Sequence, residues 1–218
     1  MHIQKNKNLK KYNTFSTNTK AKYFTKVKSI EECIKVIKKY PEEKLLILGE
    51  GSNTLLTKDW DGLVIKIEIK GRKKIKEDRK YAYIKVYSGE NWDRFVKYTV
   101  RKNLAGIENL VMIPGTIGGA VSQNIAAYGQ NITDTIQEIE VLDIESLETK
   151  VLDATKCGYR YRHSNFRDIW RNKYIITSAV FKLRKNTKEL ELSYKERAGR
   201  YGSLKEELES KGKEPYSI

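Results

Sequence analysis

The amino-acid sequence predicts a mixed α+β fold built from short elements. Apolar residues recur at helical spacing in residues 29–40 and 92–100. Apolar and polar residues alternate in residues 63–69 and 81–87, as they do in strands. Helix and strand patterns follow one another without regular alternation, so repeated βαβ units are not expected.

Two of the predicted helices have start and stop signals. Ser29 and Glu32 form a capping box ahead of the first helix, and Pro41 stops it. Asn103 follows the second helix and is its stop signal. A third helix is predicted to begin at Ser203 and to continue to about residue 211.

Strand patterns occupy residues 45–48, 63–69, 81–87 and 174–183, and residues 138–143 and 149–152 form a predicted hairpin. Residues 106–130 differ from the rest, being rich in glycine and small polar residues and poor in charge. This composition predicts a loop-rich segment whose backbone approaches a ligand closely. Residues 185–200 are highly charged and are expected to be exposed.

The composition excludes several protein classes. The chain has 218 residues and a mass of 25.4 kDa, enough to bury a core without disulfides or a structural metal. No run approaches the roughly 18 apolar residues of a membrane-spanning helix, so no membrane insertion is expected. Cys33 and Cys157 lie far apart and match no metal spacing, which indicates reduced thiols in the cytoplasm.

The net charge of the chain is +15, from 43 Lys and Arg against 28 Asp and Glu. A charge of this sign favours polyanionic partners, among them nucleic acid. The lysines do not gather in one tract, and acidic residues lie between them, so we expect solvated basic faces and no nucleic-acid partner. A dinucleotide or a nucleotide sugar uses the same sign of charge.

The first candidate motif is Gly-Glu-Gly-Ser-Asn-Thr at residues 49–54, directly after a buried strand. Glycines permit positive φ and leave no Cβ between backbone and ligand, and successive N–H groups in such a turn form a nest for phosphate. The Rossmann fingerprint does not fit, because Thr54 stands in place of its third glycine and no helix follows directly. A tight surface turn explains the same residues.

The second candidate lies in residues 113–129, where Ile-Pro-Gly-Thr-Ile-Gly-Gly-Ala is followed by Gln-Asn-Ile-Ala-Ala-Tyr-Gly. Three glycines within five residues again permit close approach of the backbone. A neutral wall rich in hydrogen-bonding groups suits a heterocycle and a pyrophosphate better than a metal, and no metal site is predicted. The alternative is a glycine-rich turn packed against a sheet.

The third candidate is Cys-Gly-Tyr-Arg-Tyr-Arg-His-Ser-Asn-Phe-Arg at residues 157–167. Arginine among aromatic residues is typical of a partly buried anion site, because a guanidinium stays charged when desolvated and presents a planar fork to carboxylate or phosphate. Alternatively, the tyrosines pack on the core while Arg160 and Arg167 face water. His163 is interpreted as a solvated loop histidine.

Together with Asn-Thr-Phe at residues 13–15, these three segments resemble in order and spacing the UDP-N-acetylenolpyruvoylglucosamine reductase family, over about residues 12–210. The resemblance implies the two-lobed α+β FAD-binding fold of the vanillyl-alcohol-oxidase type. Its lobes would span about residues 17–68 and 69–186, after an N-terminal segment 1–16. Residues 187–218 would hold a linker and the start of a truncated substrate-binding domain.

The resemblance also implies noncovalently bound FAD, NADPH as hydride donor, and a cytoplasmic, monomeric enzyme of peptidoglycan precursor synthesis. Its substrate would be UDP-N-acetylglucosamine enolpyruvate, reduced to UDP-N-acetylmuramate. The FAD-binding residues implied in the first segment are Gly49, Glu50, Gly51, Ser52, Asn53, Thr54 and Leu55. Those implied in the second are Pro114, Gly115, Thr116, Gly118, Gly119, Gln123, Asn124, Tyr128 and Gly129.

In the third segment, Arg162 matches the family's active-site arginine, which would polarise the enolpyruvyl carboxylate and stabilise the charge that develops on hydride addition. Tyr161 is assigned to the substrate, and so is Tyr201, which lies in a Tyr-Gly-Ser-Leu segment similar to one of the family's substrate contacts. The family's proton-donor serine motif and its late glutamate do not appear before Ile218. The sequence therefore looks truncated and is expected to keep the flavin half of the reaction only.

Three other functions remain open from the sequence. The chain could be a non-catalytic FAD-binding module, as the missing C-terminal motifs suggest. It could be another oxidoreductase of the same flavin fold; such enzymes often attach flavin through His or Cys, and neither glycine-rich turn contains His2, His163, Cys33 or Cys157. A basic nucleic-acid binder is the third, and it would bind duplex DNA with steep salt dependence.

Overall fold

The structure, a computed structural model, describes residues 2–185 and 203–212. Its first sheet has the strand order β1-β2-β4-β3. β1 runs antiparallel to β2, whereas β2 and β3 both run parallel to β4. The four strands are β1 (Ile3–Asn8), β2 (Lys20–Val27), β3 (Leu45–Leu48) and β4 (Trp60–Ile67), and helix α1 (Ile30–Lys39) connects β2 to β3.

The second sheet has five strands, all antiparallel, in the order β10-β9-β11-β6-β5. Its strands are β5 (Arg72–Glu77), β6 (Tyr81–Tyr87), β9 (Ile136–Asp143), β10 (Thr149–Asp153) and β11 (Tyr174–Arg184). Helices α2 (Trp92–Arg101) and α3 (Ile117–Gln123) and the small hairpin of β7 (Ala126–Ala127) and β8 (Gln130–Asn131) lie between β6 and β9. Helix α4 (Leu204–Ser210) follows the gap.

Helix α1 starts where its cap predicts. The Ser29 hydroxyl accepts a hydrogen bond from the N–H of Glu32 at 3.2 Å. The Glu32 carboxylate accepts from the N–H of Lys28 at 2.7 Å, so the return half of the predicted capping box is made one residue earlier in the chain. The helix buries Cys33, Val36 and Ile37 against the first sheet.

Apolar contacts join the two sheets. Leu142 of β9 and Ile175 of β11 belong to the same buried cluster as Ile65 and Ile67 of β4. A second cluster fills the space between the second sheet and its helices, and its centre is aromatic: the ring of Phe181 lies 5.0 Å from Phe95 and 6.0 Å from Trp92, measured between centroids. The two sheets are therefore held at a fixed spacing, with a cleft between them.

The structure confirms most of the predicted elements, namely α1, α2, α4, β3, β4, β6, β11 and the β9–β10 hairpin. The sequence did not predict strands β1, β2, β5, β7 and β8 or helix α3. β1 lies in the expected N-terminal segment and pairs with β2, β5 is formed by a charged run, and α3 lies inside the segment expected to be loop-rich. The prediction that residues 185–200 are exposed falls, from residue 186 onward, outside the described residues.

In the described part of the chain, no helix combines the length and apolar character needed to cross a membrane. Within the same ranges, no three His, Cys, Asp or Glu side chains are grouped so as to hold a metal ion. Cys33 and Cys157 are both free and buried, and burial raises the pKa of the Cys157 thiol to about 11. Neither thiol is therefore a reactive thiolate at neutral pH.

The aromatic cluster should dominate the stability of the second lobe. We expect Phe181→Ala to lower the free energy of unfolding by about 3–5 kcal/mol, because the ring is fully buried and its removal leaves a cavity. Val151→Ala, at a side chain that is 63% exposed, is the control and should change it by less than about 0.5 kcal/mol. Urea unfolding measures both, and a loss below about 1 kcal/mol for Phe181→Ala would contradict the assignment.

Candidate functional site

A cleft of about 850 Å³ opens between the two sheets, and both glycine-rich segments line it. This volume is within the range of sites that enclose cofactors and other organic ligands. Strands β3 and β11 contribute apolar residues to its lining, and three arginines contribute positive charge. Its lining includes residues 45–47, 49–54, 113–116, 118–120, 122–127 and 174–176, together with Ser88, Arg162, Phe166, Arg167 and Arg171.

The two glycine-rich segments meet with almost no side chain between them. A Cβ placed on Gly49 would lie 2.6 Å from the Thr116 hydroxyl oxygen, closer than real Cβ contacts. Gly51 has φ +69°, and a Cβ there would collide with the carbonyl oxygen of Tyr12. These two glycines are therefore required by the fold itself, whatever the cleft binds.

Polar side chains of the 49–54 turn are bonded to the second segment and its neighbours. The Ser52 hydroxyl donates to the carbonyl oxygen of Pro114 at 3.0 Å, and the Asn53 amide donates to the Gln123 side-chain oxygen at 3.0 Å. The Asn91 amide donates to the Glu50 carboxylate at 2.9 Å. These bonds fix the spacing of the two segments.

Lys66 supports the first turn from β4. Its ammonium group donates to the carbonyl oxygen of Gly49 at 2.6 Å. Burial lowers the pKa of Lys66, and the nearby carboxylates of Glu68 and Glu50 act in the opposite direction. The lysine holds the Gly49 carbonyl on the side of β4, which fixes the orientation of the peptide at the start of the turn.

Helix α3 presents a side without side chains to the cleft. Its first turn is capped by Thr116, which accepts from the N–H of Gly119 at 3.4 Å. The N–H of Gly118 donates to the carbonyl oxygen of Ser88 at 2.9 Å, and a Cβ on Gly118 would lie 3.0 Å from the Ser88 Cβ. A Cβ on Gly119 would meet only Thr116, at 3.7 Å, so this glycine faces open space.

Two buried polar atoms at the cleft have no hydrogen-bond partner among the residues that the structure describes: the Ser88 hydroxyl and the side-chain oxygen of Asn124. Buried polar groups are rarely left unpaired. A bound molecule that carries polar groups along the wall formed by α3 would supply the missing partner of the Ser88 hydroxyl. With its bare glycine surface and its apolar lining residues, the cleft fits a large, flat molecule with a polar chain.

Arg162 lines the cleft from the tip of a tight turn, which is bonded to the C-terminal end of α3. The N–H of His163 donates to the carbonyl oxygen of Arg160 at 2.8 Å, and the N–H of Arg160 donates back at 3.2 Å. Arg162 takes φ +50°, an uncommon conformation for a residue with a side chain. The Arg167 guanidinium donates to the Arg162 carbonyl oxygen at 2.7 Å.

Positive charge in the cleft comes from arginine side chains. Arg162, Arg167 and Arg171 line it, and Glu50 is the one carboxylate among its described lining residues. Arg160 and Arg167 are both exposed, as the alternative interpretation expects, and Arg167 also lines the cleft. All three arginines are exposed, and a guanidinium group stays charged and binds carboxylate or phosphate with two parallel hydrogen bonds. The cleft can therefore accept an anionic group.

Most residues that the sequence assigned to a site line this cleft, but several do not. Tyr161, Tyr128 and Leu55 are 81%, 60% and 59% exposed and lie outside its wall, as does Gly129. Tyr201 lies outside the described residues. The sequence analysis did not identify Lys66, Ser88 and Asn91 as parts of the site. Asn91 carried a signal that was available, an N-cap residue directly before helix α2.

Comparison with known proteins agrees with this geometry. The FAD binding domain family matches residues 21–147. Solved structures with the same fold include the UDP-N-acetylenolpyruvylglucosamine reductase (MurB) of Thermus caldophilus, with a TM-score of 0.71 and 24% identity over 98% of this chain and 70% of that one. The cholesterol oxidase of B. sterolicum has a TM-score of 0.56 and 12% identity over 79% of this chain and 36% of that one.

The chain therefore belongs to the FAD binding domain family, and the predicted two-lobed flavin fold is confirmed. Its relatives in sequence are UDP-N-acetylenolpyruvoylglucosamine reductases, which confirms the resemblance found in the motifs. The enzyme of Flavobacterium johnsoniae is 44% identical over 89% of this chain and 58% of its own length. That of Aliivibrio fischeri is 40% identical over 85% of this chain and 53% of its own. The chain thus spans little more than half the length of these relatives.

Gly119 gives a direct test of where the cofactor would lie. We expect Gly119→Ala to weaken FAD binding about tenfold or more, because the added methyl group would project into open cleft space. Its thermal stability should be equal or higher, because alanine favours a helix interior over glycine by about 0.5–1 kcal/mol. Fluorescence titration with FAD and thermal unfolding measure the two effects.

The neighbouring glycine is the matched control. Gly118→Ala should lower thermal stability, because its Cβ would press on Ser88 at 3.0 Å. Gly115→Val is a poorer test, because Gly115 has φ +137° and valine would strain the backbone in any case. Full retention of FAD affinity by Gly119→Ala would mean that this side of α3 does not face the cofactor.

Proposed function

We propose that the chain binds FAD noncovalently in the cleft and takes part in the NADPH-dependent reduction of UDP-N-acetylglucosamine enolpyruvate to UDP-N-acetylmuramate. The observation that carries the proposal is the cleft itself, which combines a bare glycine wall with lining arginines. The names of the sequence relatives supply the substrate class. In this proposal the enzyme is a cytoplasmic monomer of peptidoglycan precursor synthesis.

The residues that would hold FAD are those of the two glycine-rich segments that line the cleft. Backbone N–H groups of the 49–54 turn would face the pyrophosphate, as glycine-containing turns do in other phosphate sites. Gly119 would lie under a flat ring system, and Ser88 would gain a partner for its buried oxygen. Leu55, Tyr128 and Gly129, which lie outside the wall, would act only by shaping the segments.

When bound, FAD supplies the hydride chemistry, accepting hydride from the nicotinamide and passing it to the enolpyruvyl double bond. Arg162 would hold the enolpyruvyl carboxylate through its planar fork. As hydride adds to the terminal carbon, negative charge spreads from the neighbouring carbon into that carboxylate, and the guanidinium stabilises it. The proton that completes the reaction adds at that neighbouring carbon. Tyr161 and Tyr201 are proposed to contact the rest of the substrate.

The proposed position of FAD also defines a division of the chain into domains. FAD would lie between a lobe of about residues 17–68 and a lobe of about residues 69–186, and residues 187–218 would begin a substrate-binding domain. The 218 residues would then hold the flavin half of the reaction and not its proton donor. A second candidate function is a non-catalytic FAD-binding module, because the segments proposed to hold FAD line the cleft by themselves.

The visible absorption spectrum of the purified chain tests the cofactor. We expect a flavin spectrum, with the whole of the FAD released into the soluble fraction when the protein is denatured. Flavin that stays with the precipitated protein would show covalent attachment and would favour another oxidoreductase of this fold. A colourless protein that does not take up added FAD would contradict the proposal.

Turnover separates the two candidate functions. We expect the 218-residue chain to turn over NADPH and the enolpyruvyl sugar nucleotide at least about 10²–10³-fold more slowly than the Flavobacterium johnsoniae enzyme, because loss of a single transition-state donor commonly costs that much. A steady-state assay of both proteins decides it. Equal rates would show that another residue of this chain donates the proton.

Arg162→Lys tests the role of the arginine in substrate binding. A lysine keeps the charge but cannot form two parallel hydrogen bonds with a carboxylate. We expect reoxidation of the reduced flavin by the enolpyruvyl substrate to slow about tenfold or more, with a smaller effect on flavin reduction by NADPH. Rapid mixing measures the two half-reactions separately.

The matched control for that variant is Arg79→Lys, at an exposed arginine in the turn between β5 and β6. It should change neither half-reaction. FAD content and thermal stability of Arg162→Lys should equal those of the unchanged protein, since the guanidinium is exposed and supports no core contact. Equal losses in both half-reactions, or loss of FAD, would make Arg162 a structural residue.

A further inference from the structure

Three side-chain hydrogen bonds tie the end of helix α3 to the turn that carries Arg162. The Tyr159 hydroxyl donates to the carbonyl oxygen of Val121 at 3.1 Å, and the Ser164 hydroxyl donates to that of Ser122 at 2.5 Å. The third bond runs in the opposite direction, from the Asn124 amide to the carbonyl oxygen of Arg160 at 2.8 Å. We call these three bonds the arginine-turn clamp.

The clamp answers a general need of helices. The last carbonyl groups of a helix have no partner inside it, and here the arginine turn supplies two of the donors. Ser164 is fully buried, so its hydroxyl has a fixed partner. Burial raises the pKa of Tyr159, which keeps its hydroxyl protonated and able to donate. The glycine-rich wall and the arginine turn therefore form one rigid unit.

Asn124 occupies the decisive position in the clamp. It is the C-cap of α3, is 4% exposed and takes φ +48°, a conformation that asparagine tolerates better than most residues. Its amide binds the same Arg160 carbonyl that accepts the N–H of His163 and so closes the turn. Arg162, two residues further on, is itself held at φ +50°, which persists only where the surroundings enforce it.

We propose that Asn124 is a positioning residue for Arg162: its amide fixes the turn that places the guanidinium at the cleft. This inference rests on the proposed function, in which Arg162 binds the substrate carboxylate. It differs from the sequence-based prediction that Asn124 contacts FAD directly. The carboxylate-specific part of substrate binding should then depend on Asn124, and the affinity for FAD should not.

The test uses Asn124→Asp, which keeps the size of the side chain and its tolerance of positive φ but removes the donor. In the FAD-loaded chain, hydrogen exchange of the His163 amide should accelerate at least about tenfold, since the turn loses an anchor. The affinity for FAD should stay within about twofold. Asn124→Gly removes the amide without adding charge, so it must reproduce both results and replaces Asn124→Asp if the charged variant does not fold.

Two sugar nucleotides isolate the carboxylate. Flavin absorbance changes report the dissociation constants of UDP-N-acetylglucosamine enolpyruvate and of UDP-N-acetylglucosamine, which lacks the carboxylate. The ratio of interest is the dissociation constant of UDP-N-acetylglucosamine divided by that of the enolpyruvate. We expect Asn124→Asp to reduce this ratio about tenfold. Asn103→Asp is the matched control, because Asn103 also takes a positive φ, +54°, just after a helix, is exposed and does not line the cleft. It should leave exchange and ratio unchanged.

Combination with Arg162→Lys shows whether Asn124 acts through Arg162 or independently of it. If Asn124 acts through Arg162, Asn124→Asp reduces the ratio no further in the Arg162→Lys background. An equal further reduction of the ratio in that background would overturn the proposal. Unchanged hydrogen exchange of the His163 amide in Asn124→Asp would also overturn it, whether or not the affinity for FAD falls. If Arg162→Lys alone leaves the ratio unchanged, the carboxylate role of Arg162 fails, and the His163 exchange still decides whether Asn124 holds the turn.

Discussion

The contact between the turn of residues 49–54, which follows β3, and residues 113–116, which precede α3, is the constraint on which the rest of the site depends. Gly49 lies against Thr116 so closely that no Cβ fits between them, and the hydrogen bond from Ser52 to the Pro114 carbonyl keeps the two segments in register. A side chain at Gly49 would displace the Thr116 hydroxyl, which caps helix α3. The bonds made by Asn53 and Glu50 follow from this, because they fix the spacing and leave main-chain groups to line the cleft. The polar side chains of this turn thus serve the geometry of the site first.

Local signals in the sequence were enough to predict elements whose stability is local. Helix α1 follows from its cap and its apolar face, and the β9–β10 hairpin follows from alternation around a polar turn. Helix α3 could not be predicted in this way, because each glycine in a helix interior costs about 0.8–1.0 kcal/mol relative to alanine and this helix contains two. Its cap at Thr116 and the bond from Gly118 to Ser88 hold it in place, and the second of these joins residues 30 positions apart. β5 was hidden for another reason: all six of its residues are exposed, so no apolar alternation marks it.

The same distinction explains how much of the candidate site the sequence could predict. The glycine-rich segments and Arg162 belong to compact motifs, so they were found, and most of them line the cleft. Lys66, Ser88 and Asn91 reach the site from elements whose own sequences indicate only a strand or a helix start, and their role depends on pairing that spacing does not reveal. Continuity along the chain also misled in one respect, because Tyr128 and Gly129 continue the second motif but lie outside the wall. A motif therefore predicts which segment forms a site more reliably than which of its side chains face the ligand.

In the proposed function, the distribution of charge in the cleft explains how a strongly basic chain would select one anion. The chain has a net charge of +15, but among the described residues the basic side chains that line the cleft are three arginines. None of the three belongs to the glycine-rich segments. Exposed charges elsewhere are screened over about 8 Å at physiological ionic strength, so they add little to the affinity for a bound ligand. Selectivity for one anion would then come from geometry, that is, from guanidinium groups that bind a carboxylate or phosphate at a defined place and angle. Arg162 is a non-glycine residue in a left-handed conformation, which a free loop would abandon. An arginine whose backbone is held in this way needs a rigid turn around it, and the hydrogen bonds between α3 and the arginine turn provide that rigidity.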